Sequence, residues 1–342
     1  MVRLGDAIPV INMAPFNAAT RVRLESVSSR LKIEHRELGD QARIDAIIDP
    51  AVEVMIGYRV PTDLNRTPSL RWIQLVSAGV DHLLKNPPWA RGLVVTNARG
   101  VFAVQMAEYV ISGLLRVYQN VDIRRQYQAA HRWPSDAARS PLMGRLLRGQ
   151  TLVIVGYGGV GREIARVANA MGMRVVAVKR RPEVRLEDGF RLPGTGDPEG
   201  LIPEQFFGPK DLNAAAALAD ALVVTLPLTS QTVGLIDASV FAALPPHAWL
   251  INVARGKIVD EDALVAALGE QRLAGAILDV FREQPLPQAS PLWAMPNVII
   301  APHIAGGGHD GWMIFAELVV ENLRRYVAGG TLLNRVDGGQ EY

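Results

Sequence analysis

Short apolar runs alternate along this chain with polar segments that carry glycine or proline. In the first hundred residues the runs fall at Ile8 to Met13, Val54 to Tyr58, Trp72 to Val76 and Leu93 to Thr96, a spacing that predicts a small α/β sheet. A helical pattern from Ala103 to Ala130 then leads, through Pro134 and Pro141, into a second series of strands. These are predicted at Leu152 to Val155, Val175 to Val178, Ala221 to Leu226, Trp249 to Val253, Gly275 to Val280 and Val298 to Ile300, with helices between them such as Asp260 to Leu268. The stretch Pro182 to Lys210, rich in Gly and Pro, reads as an extended surface loop or short helices. A last helix, Trp312 to Val327, is expected to fold back on the first domain, and no internal repeat is visible.

One segment of the second series carries chemistry. Thr151 to Val178 reads TLVIVGYGGVGREIARVANAMGMRVVAV: an apolar strand, then Gly156-Tyr157-Gly158-Gly159-Val160-Gly161, a helix carrying Ile164, Val167, Ala168 and Met171, and a second strand. That is a complete βαβ unit. The first glycine permits the tight turn, the second lets backbone approach a pyrophosphate, and the third lets the helix pack on the strand, with its N-terminus facing the phosphates. The segment therefore predicts dinucleotide binding.

The residue after the second strand decides which dinucleotide. In an NAD site an Asp or Glu roughly 20 residues beyond the glycines accepts hydrogen bonds from the adenosine ribose. Here that place holds Lys179, followed by Arg180 and Arg181. Read from the sequence, no carboxylate is available to bind the ribose or repel a 2′-phosphate, and three cations stand where one could be clamped. The expectation is NADP(H) in preference to NAD(H).

Composition narrows the class further. With 342 residues, 49% of them hydrophobic, the chain can bury more than one core, and about two domains are expected. A net charge of +2 without a basic stripe argues against nucleic acid. Cysteine is absent, which excludes disulfides, thiolate metal sites and cysteine nucleophiles. Neither a signal-peptide core nor an apolar run of membrane length is seen, so no membrane association and a cytoplasmic location are expected.

Four further segments, SAGVDH (Ser77 to His82), LINVARGK (Leu250 to Lys257), LDVFREQPLP (Leu278 to Pro287) and APHIAGG (Ala301 to Gly307), together with the glycine unit, resemble the D-isomer-specific 2-hydroxyacid dehydrogenase family. The resemblance covers nearly the whole chain, in order. It implies a Rossmann-type doubly wound parallel sheet, residues 99–307, inserted into a smaller flavodoxin-like α/β substrate domain, residues 1–98 and 308–342, with the catalytic cleft between them.

The residues make chemical sense of that resemblance. Each of the last three segments sets a polar residue at or beyond the end of an apolar strand, where open parallel sheets bind ligands. Arg255 offers a planar fork that grips a carboxylate and polarises a ketone oxygen. His303 is the best general acid, able to protonate the carbonyl oxygen as hydride arrives. Of the other histidines, His35, His131, His247 and His309 carry no motif and are read as surface or packing residues, whereas His82, at the end of SAGVDH, is read as lying beside the substrate loop and beyond its reach. No histidine pair has metal-ligand spacing, and no metal is expected. The resemblance further implies that backbone N–H groups of Val76, Ser77, Ala78 and Gly79 bind the substrate carboxylate. Asp279 would hold the nicotinamide carboxamide, or else serve only as a strand-end cap. Leu226, Pro227 and Thr232 would border the adenosine and phosphates, and Val253, Ala254 and Gly306 the nicotinamide.

One position departs from the family. An acidic residue normally precedes the proline of the DVFxxEP segment and pairs with the histidine, whereas here Gln284 precedes Pro285 and Glu283 stands one place earlier. Neighbouring side chains in extended backbone point oppositely, so Gln284 is the expected partner of His303. This amide version is similar to the formate dehydrogenase branch. The primary reading is thus reduction of small 2-keto acids of the glyoxylate and hydroxypyruvate type to D-2-hydroxy acids. Formate oxidation is the alternative, and a non-catalytic nucleotide-sensing partner protein is the third. Assembly as a homodimer is expected through the Ala103 to Tyr127 helical pattern, where Val104, Met106, Val110, Ile111, Leu114, Leu115 and Val117 exceed the need of one core face.

Overall fold

The structure, a computed structural model, describes residues 6–36, 40–308, 310–340 and 342. His309 lies outside the described residues. The chain divides into two compact units: Met1–Phe102, Asp188–Leu192 and Gly308–Tyr342 in the first, Ala103–Glu187 and Pro193–Gly307 in the second.

The first unit is a five-stranded parallel sheet of β1 (Ile8–Asn12), β2 (Leu31–His35), β3 (Val54–Gly57), β4 (Trp72–Leu75) and β5 (Val94–Thr96), in the order β2-β1-β3-β4-β5. This is the flavodoxin-like order. Residues alternate between two cores, as the period of a strand requires: Ile8, Val10, Val54 and Ile56 face one, and Ile11, Met55, Ile73 and Val95 the other. Helix α1 (Ala18–Glu25), capped by the Asn17 side chain on Thr20 N, packs with the C-terminal helix Gly311–Val327 on the first core. A bidentate Arg23–Glu317 contact ties the two helices. A second helix, α2 (Gln41–Ile47), lies on the other side with Ile44 in the second core. Strand β2 is absent from the sequence reading because only Leu31 of LKIEH is buried, leaving too little apolar pattern for an edge strand.

The second unit begins with α3 (Ala103–Tyr118) and α4 (Val121–Ala129). The single helix expected over Ala103 to Ala130 is in fact broken. Asn120 adopts a left-handed conformation, φ 49°, and its side chain donates to Met143 O, while Gln119 donates to Arg145 O. The apolar excess on α3 is also mostly internal: Val110, Ile111 and Leu114 are buried, and Val104, Met106 and Val117 half-buried. Exposed apolar side chains come instead from Leu115, Ile123, Trp133, Met143 and Leu146. A short α5 (Asp136–Arg139) interrupts that stretch.

A seven-stranded, all-parallel sheet follows. Its elements are β6 (Thr151–Val155), α6 (Gly159–Ala170), β7 (Arg174–Val178), β8 (Gln205–Phe207), α7 (Leu212–Ala216), β9 (Ala221–Val224), α8 (Ala238–Ala243), β10 (Trp249–Asn252), α9 (Glu261–Gly269), β11 (Gly275–Leu278) and β12 (Val298–Ile300). The order β12-β11-β10-β9-β6-β7-β8 is doubly wound, with its switch point between β6 and β9. Val153, Val155, Leu222 and Leu250 enter one core, and Leu152, Ile154, Val223 and Ile251 the other, so these strands read as continuous apolar runs. Strand β8 corrects the expectation of an irregular Pro182 to Lys210: QFF is too short to stand out, yet it pairs with β7 in register from Val176↔Gln205 to Val178↔Phe207. Among the described residues no helix is long and apolar enough to cross a membrane.

Candidate active site

The glycine turn sits at the switch point. Gly156 has φ 106°, and a Cβ there would meet Leu226 N at 2.8 Å, because β9 ends against it. At Gly161 a Cβ would strike Gly156 O at 2.2 Å, so only glycine lets α6 begin this close to β6. Gly158 differs from both. It is exposed, and a Cβ would meet nothing nearer than Glu187 Oε1 at 4.0 Å, leaving open the space where a diphosphate approaches the N-terminus of α6. Tyr157 is buried, and its hydroxyl donates to Asp197 Oδ2 at 2.6 Å, so only its backbone and that of Gly159 and Val160 are left for a ligand. Thr225 Oγ1 braces the turn by donating to Gly156 O at 2.5 Å. Beyond it, the Leu226–Pro227 loop is closed by Thr232, whose hydroxyl donates to Pro227 O at 2.7 Å and accepts from Thr229 N at 2.8 Å.

Three adjacent strands present the candidate groups Arg255, Asp279 and His303 at the same edge of the sheet. After β10, Asn252 accepts from Ala254 N and donates to Arg255 O, shaping the turn of Val253 and Ala254 that carries Arg255. Gly256 lets this turn meet the loop after β11: a Cβ would lie 1.9 Å from Phe281 C and 2.0 Å from its oxygen. Arg282 anchors that loop, through its N–H to Glu261 Oε2 and its guanidinium to both oxygens of Asp262. At the far end Trp293 Nε1 donates to Pro287 O at 3.0 Å.

His303, beyond β12, has φ 58°, a left-handed conformation that costs a non-glycine residue of order 1 kcal/mol. The buried Asp279 holds it there. Its carbonyl accepts from His303 N at 2.8 Å, and its carboxylate oxygens accept from Ile304 N at 2.7 Å and Ala305 N at 2.9 Å. Strand-end capping by Asp279 is therefore present, and each oxygen keeps a second lone pair. Its charge also reaches Tyr109 on α3, whose phenol is pushed up to about 12, by burial first and Asp279 next. Gln284 Oε1 lies 2.9 Å from His303 Nδ1, and its amide nitrogen faces Phe281 O at 3.5 Å. The carbonyl end of the amide thus meets the ring, so Nδ1–H is the donor of this pair and Nε2 makes no hydrogen bond with a described residue. Glu283 is exposed and makes no hydrogen bond with a described residue.

In the first unit, Ser77 Oγ donates to Gly79 O at 2.8 Å and Asn97 Nδ2 to Ala78 O at 2.9 Å, which shapes the Val76–Gly79 loop after β4. The N–H groups of Ser77, Ala78 and Gly79 find no acceptor among the described residues. His82 stacks on Tyr58, rings 4.8 Å apart. His35 pairs with Asn12 and Glu25, and burial lowers its pKa; His247 pairs with Asp220.

The basic turn behaves less simply than its sequence. Lys179 Nζ donates to Val184 O, and its pKa is lowered by burial and by Arg162, against the opposing effect of Glu187 and Glu183. Arg180 and Arg181 are exposed. The expectation that no carboxylate is available here does not hold: Glu187 is returned to the glycine turn by the loop after β7. Residue spacing could not show this, because the loop's path is set by buried contacts rather than by periodicity.

A family model for the NAD-binding domain of D-isomer-specific 2-hydroxyacid dehydrogenases matches residues 111–305. The chain belongs to the D-isomer-specific 2-hydroxyacid dehydrogenase family. As a family member it is an oxidoreductase acting on a CH–OH group with a nicotinamide cofactor. The chain is 34% identical over 263 residues to (S)-sulfolactate dehydrogenase of Chromohalobacter salexigens, covering 77% of this chain and 79% of the relative. It is 33% identical over 271 residues to glyoxylate reductase of Thermococcus litoralis, covering 78% and 76%. A D-isomer specific 2-hydroxyacid dehydrogenase from Xanthobacter autotrophicus Py2, solved in complex with NADPH and MES, superposes with a TM-score of 0.78 at 30% identity, over 98% of this chain and all of that one.

Proposed function

We propose that this family member reduces a small 2-keto acid of the glyoxylate or hydroxypyruvate type to the D-2-hydroxy acid, with NADPH as the preferred cofactor and NADH accepted. The observation that carries the reading is the convergence of Arg255, Asp279 and His303 on the ends of three adjacent strands, with Gln284 Oε1 on the histidine. The open face of Gly158 and the start of α6 fit a dinucleotide diphosphate. Cofactor contacts are assigned to Gly156 through Gly161, Leu226, Pro227, Thr232, Val253, Ala254, Asp279 and Gly306. Lys179, Arg180 and Arg181 are assigned to the 2′-phosphate. Residues 1–98 and 308–342 form the substrate domain in this reading, with carboxylate binding by the N–H groups of the Val76–Gly79 loop.

When bound, the reduced nicotinamide supplies the hydride. The guanidinium of Arg255 polarises the ketone oxygen and stabilises its developing negative charge. His303 Nε2–H gives its proton to that oxygen, so carbonyl becomes hydroxyl, while Gln284 fixes the ring through Nδ1. The amide orients the imidazole without a charge to stabilise its protonated form. The same contact is what a formate-oxidising reading rests on, since that reaction needs no proton donor.

Pairing of two copies through the region that carries the exposed side chains of Leu115, Ile123, Trp133, Met143 and Leu146 is part of the proposal. Oxidation of NADPH followed with glyoxylate, hydroxypyruvate and phenylpyruvate tests the reaction. Turnover of a keto acid is expected; oxidation of formate alone would overturn it.

A further inference from the structure

The loop between β7 and β8 is fastened to the cofactor turn by buried polar groups. Arg162, 2% exposed on α6, donates to Asp197 O and to Arg185 O, the latter at 2.6 Å, and stacks over the Tyr157 ring. Asp197 also accepts from Leu201 N and Ile202 N, while the buried Glu163 accepts from Gly196 N at 2.6 Å. The Glu187 backbone N–H donates to Pro198 O at 3.1 Å. Charges this deeply placed are tolerated only when paired, so the loop's path is fixed by its anchors.

Glu187 is what this anchoring delivers. Its side chain is 17% exposed, and Oε2 lies 2.9 Å from Arg162 Nε. The N–H direction misses the oxygen, so the pair is held by charge and not by a hydrogen bond. Oε1 is the atom nearest the open face of Gly158. Neither oxygen accepts a hydrogen bond from a described residue and neither is fully enclosed, so both are open to donors of a ligand. Two vicinal hydroxyls, the donors of an adenosine ribose, would satisfy it. A 2′-phosphate would set further negative charge beside it.

We propose that Glu187 is the ribose-reading carboxylate of this site, supplied by the loop instead of by the end of β7, and that it offsets the cations of Lys179 to Arg181 in setting cofactor preference. The proposal rests on the dinucleotide reading above. With the carboxylate present, NADH gains hydrogen bonds and NADPH meets repulsion, which narrows the preference that the cations alone would give. The field at Lys179, where Arg162 and Arg181 act in one direction and Glu187 and Glu183 in the other, is consistent with that balance.

Calorimetric titration of the unmodified protein and of Glu187→Gln with NADH and with NADPH tests this. Glu187→Gln is expected to weaken NADH by about tenfold and to leave NADPH unchanged or tighter, since charge-assisted hydrogen bonds contribute about 1.5–3 kcal/mol. Equal weakening of both, or no change in either, would show that Glu187 serves only Arg162 and would overturn the proposal. The unmodified protein gives a second measurement that needs no variant to fold: ADP is expected to bind at least about threefold tighter than 2′-deoxy-ADP. Equal affinity would overturn the proposal. If the ratios move as expected while no keto acid is reduced, the substrate reading alone fails; if neither dinucleotide binds, both fail.

Discussion

Gln284 Oε1 lies 2.9 Å from His303 Nδ1, so the imidazole is oriented by a neutral amide where a carboxylate would add charge. A carboxylate there favours the protonated ring and an amide does not. Reduction consumes a proton, and His303 is the residue assigned to give it. Relative to the unmodified protein, Gln284→Glu is expected to raise the rate of keto-acid reduction more at alkaline than at acidic pH. An unchanged profile in Gln284→Glu, with a downward shift in Glu283→Gln, would make Glu283 the functional partner.

Asp279 tests how His303 is presented. Replacing it by Ala removes the acceptors for Ile304 N and Ala305 N in a buried site, which should cost about 2–4 kcal/mol in unfolding free energy. The left-handed conformation of His303 loses its support in the same change, so kcat should fall more than KM rises. Asp279→Asn, which keeps one acceptor, should lie between. Wild-type stability in denaturant unfolding of Asp279→Ala would contradict the assignment.

Cofactor choice is tested at the exposed cations. Arg180→Ala with Arg181→Ala should raise KM for NADPH about tenfold or more and leave KM for NADH within about twofold. Parallel changes in both constants would remove these residues from phosphate recognition.

Much of this site was legible in the sequence, for reasons that differ by residue. The βαβ unit of Thr151 to Val178 shows itself because its strands are buried on both faces and two of its glycines, Gly156 and Gly161, stand where β9 and α6 come too close for a side chain. Arg255 and His303 were legible by position, one on each of two strand ends, and Gln284 by its place before Pro285. Strand β2 was not, because an edge strand with one buried residue has no pattern to read. The break at Asn120 was hidden as well: it depends on contacts with Met143 and Arg145, more than twenty residues on. Glu187 was missed for the same reason, since Arg162, Glu163 and Asp197 are charged residues whose burial follows from tertiary pairing and not from local preference.

Association is tested at Trp133 and Leu146, 87% and 72% exposed. Light scattering at micromolar concentration should return twice the mass of one chain, and Trp133→Ala with Leu146→Asp should shift the protein toward a single chain. The mass of one chain for the unmodified protein would count decisively against the dimer.

The central claim is that hydride passes to the carbonyl carbon of a 2-keto acid on one face. Hydroxypyruvate reduced with NADPH deuterated at both C4 positions should yield D-glycerate carrying one deuterium at C2. L-glycerate, or glycerate without deuterium, would contradict the account, as would deuterated cofactor left unconsumed by every keto acid offered.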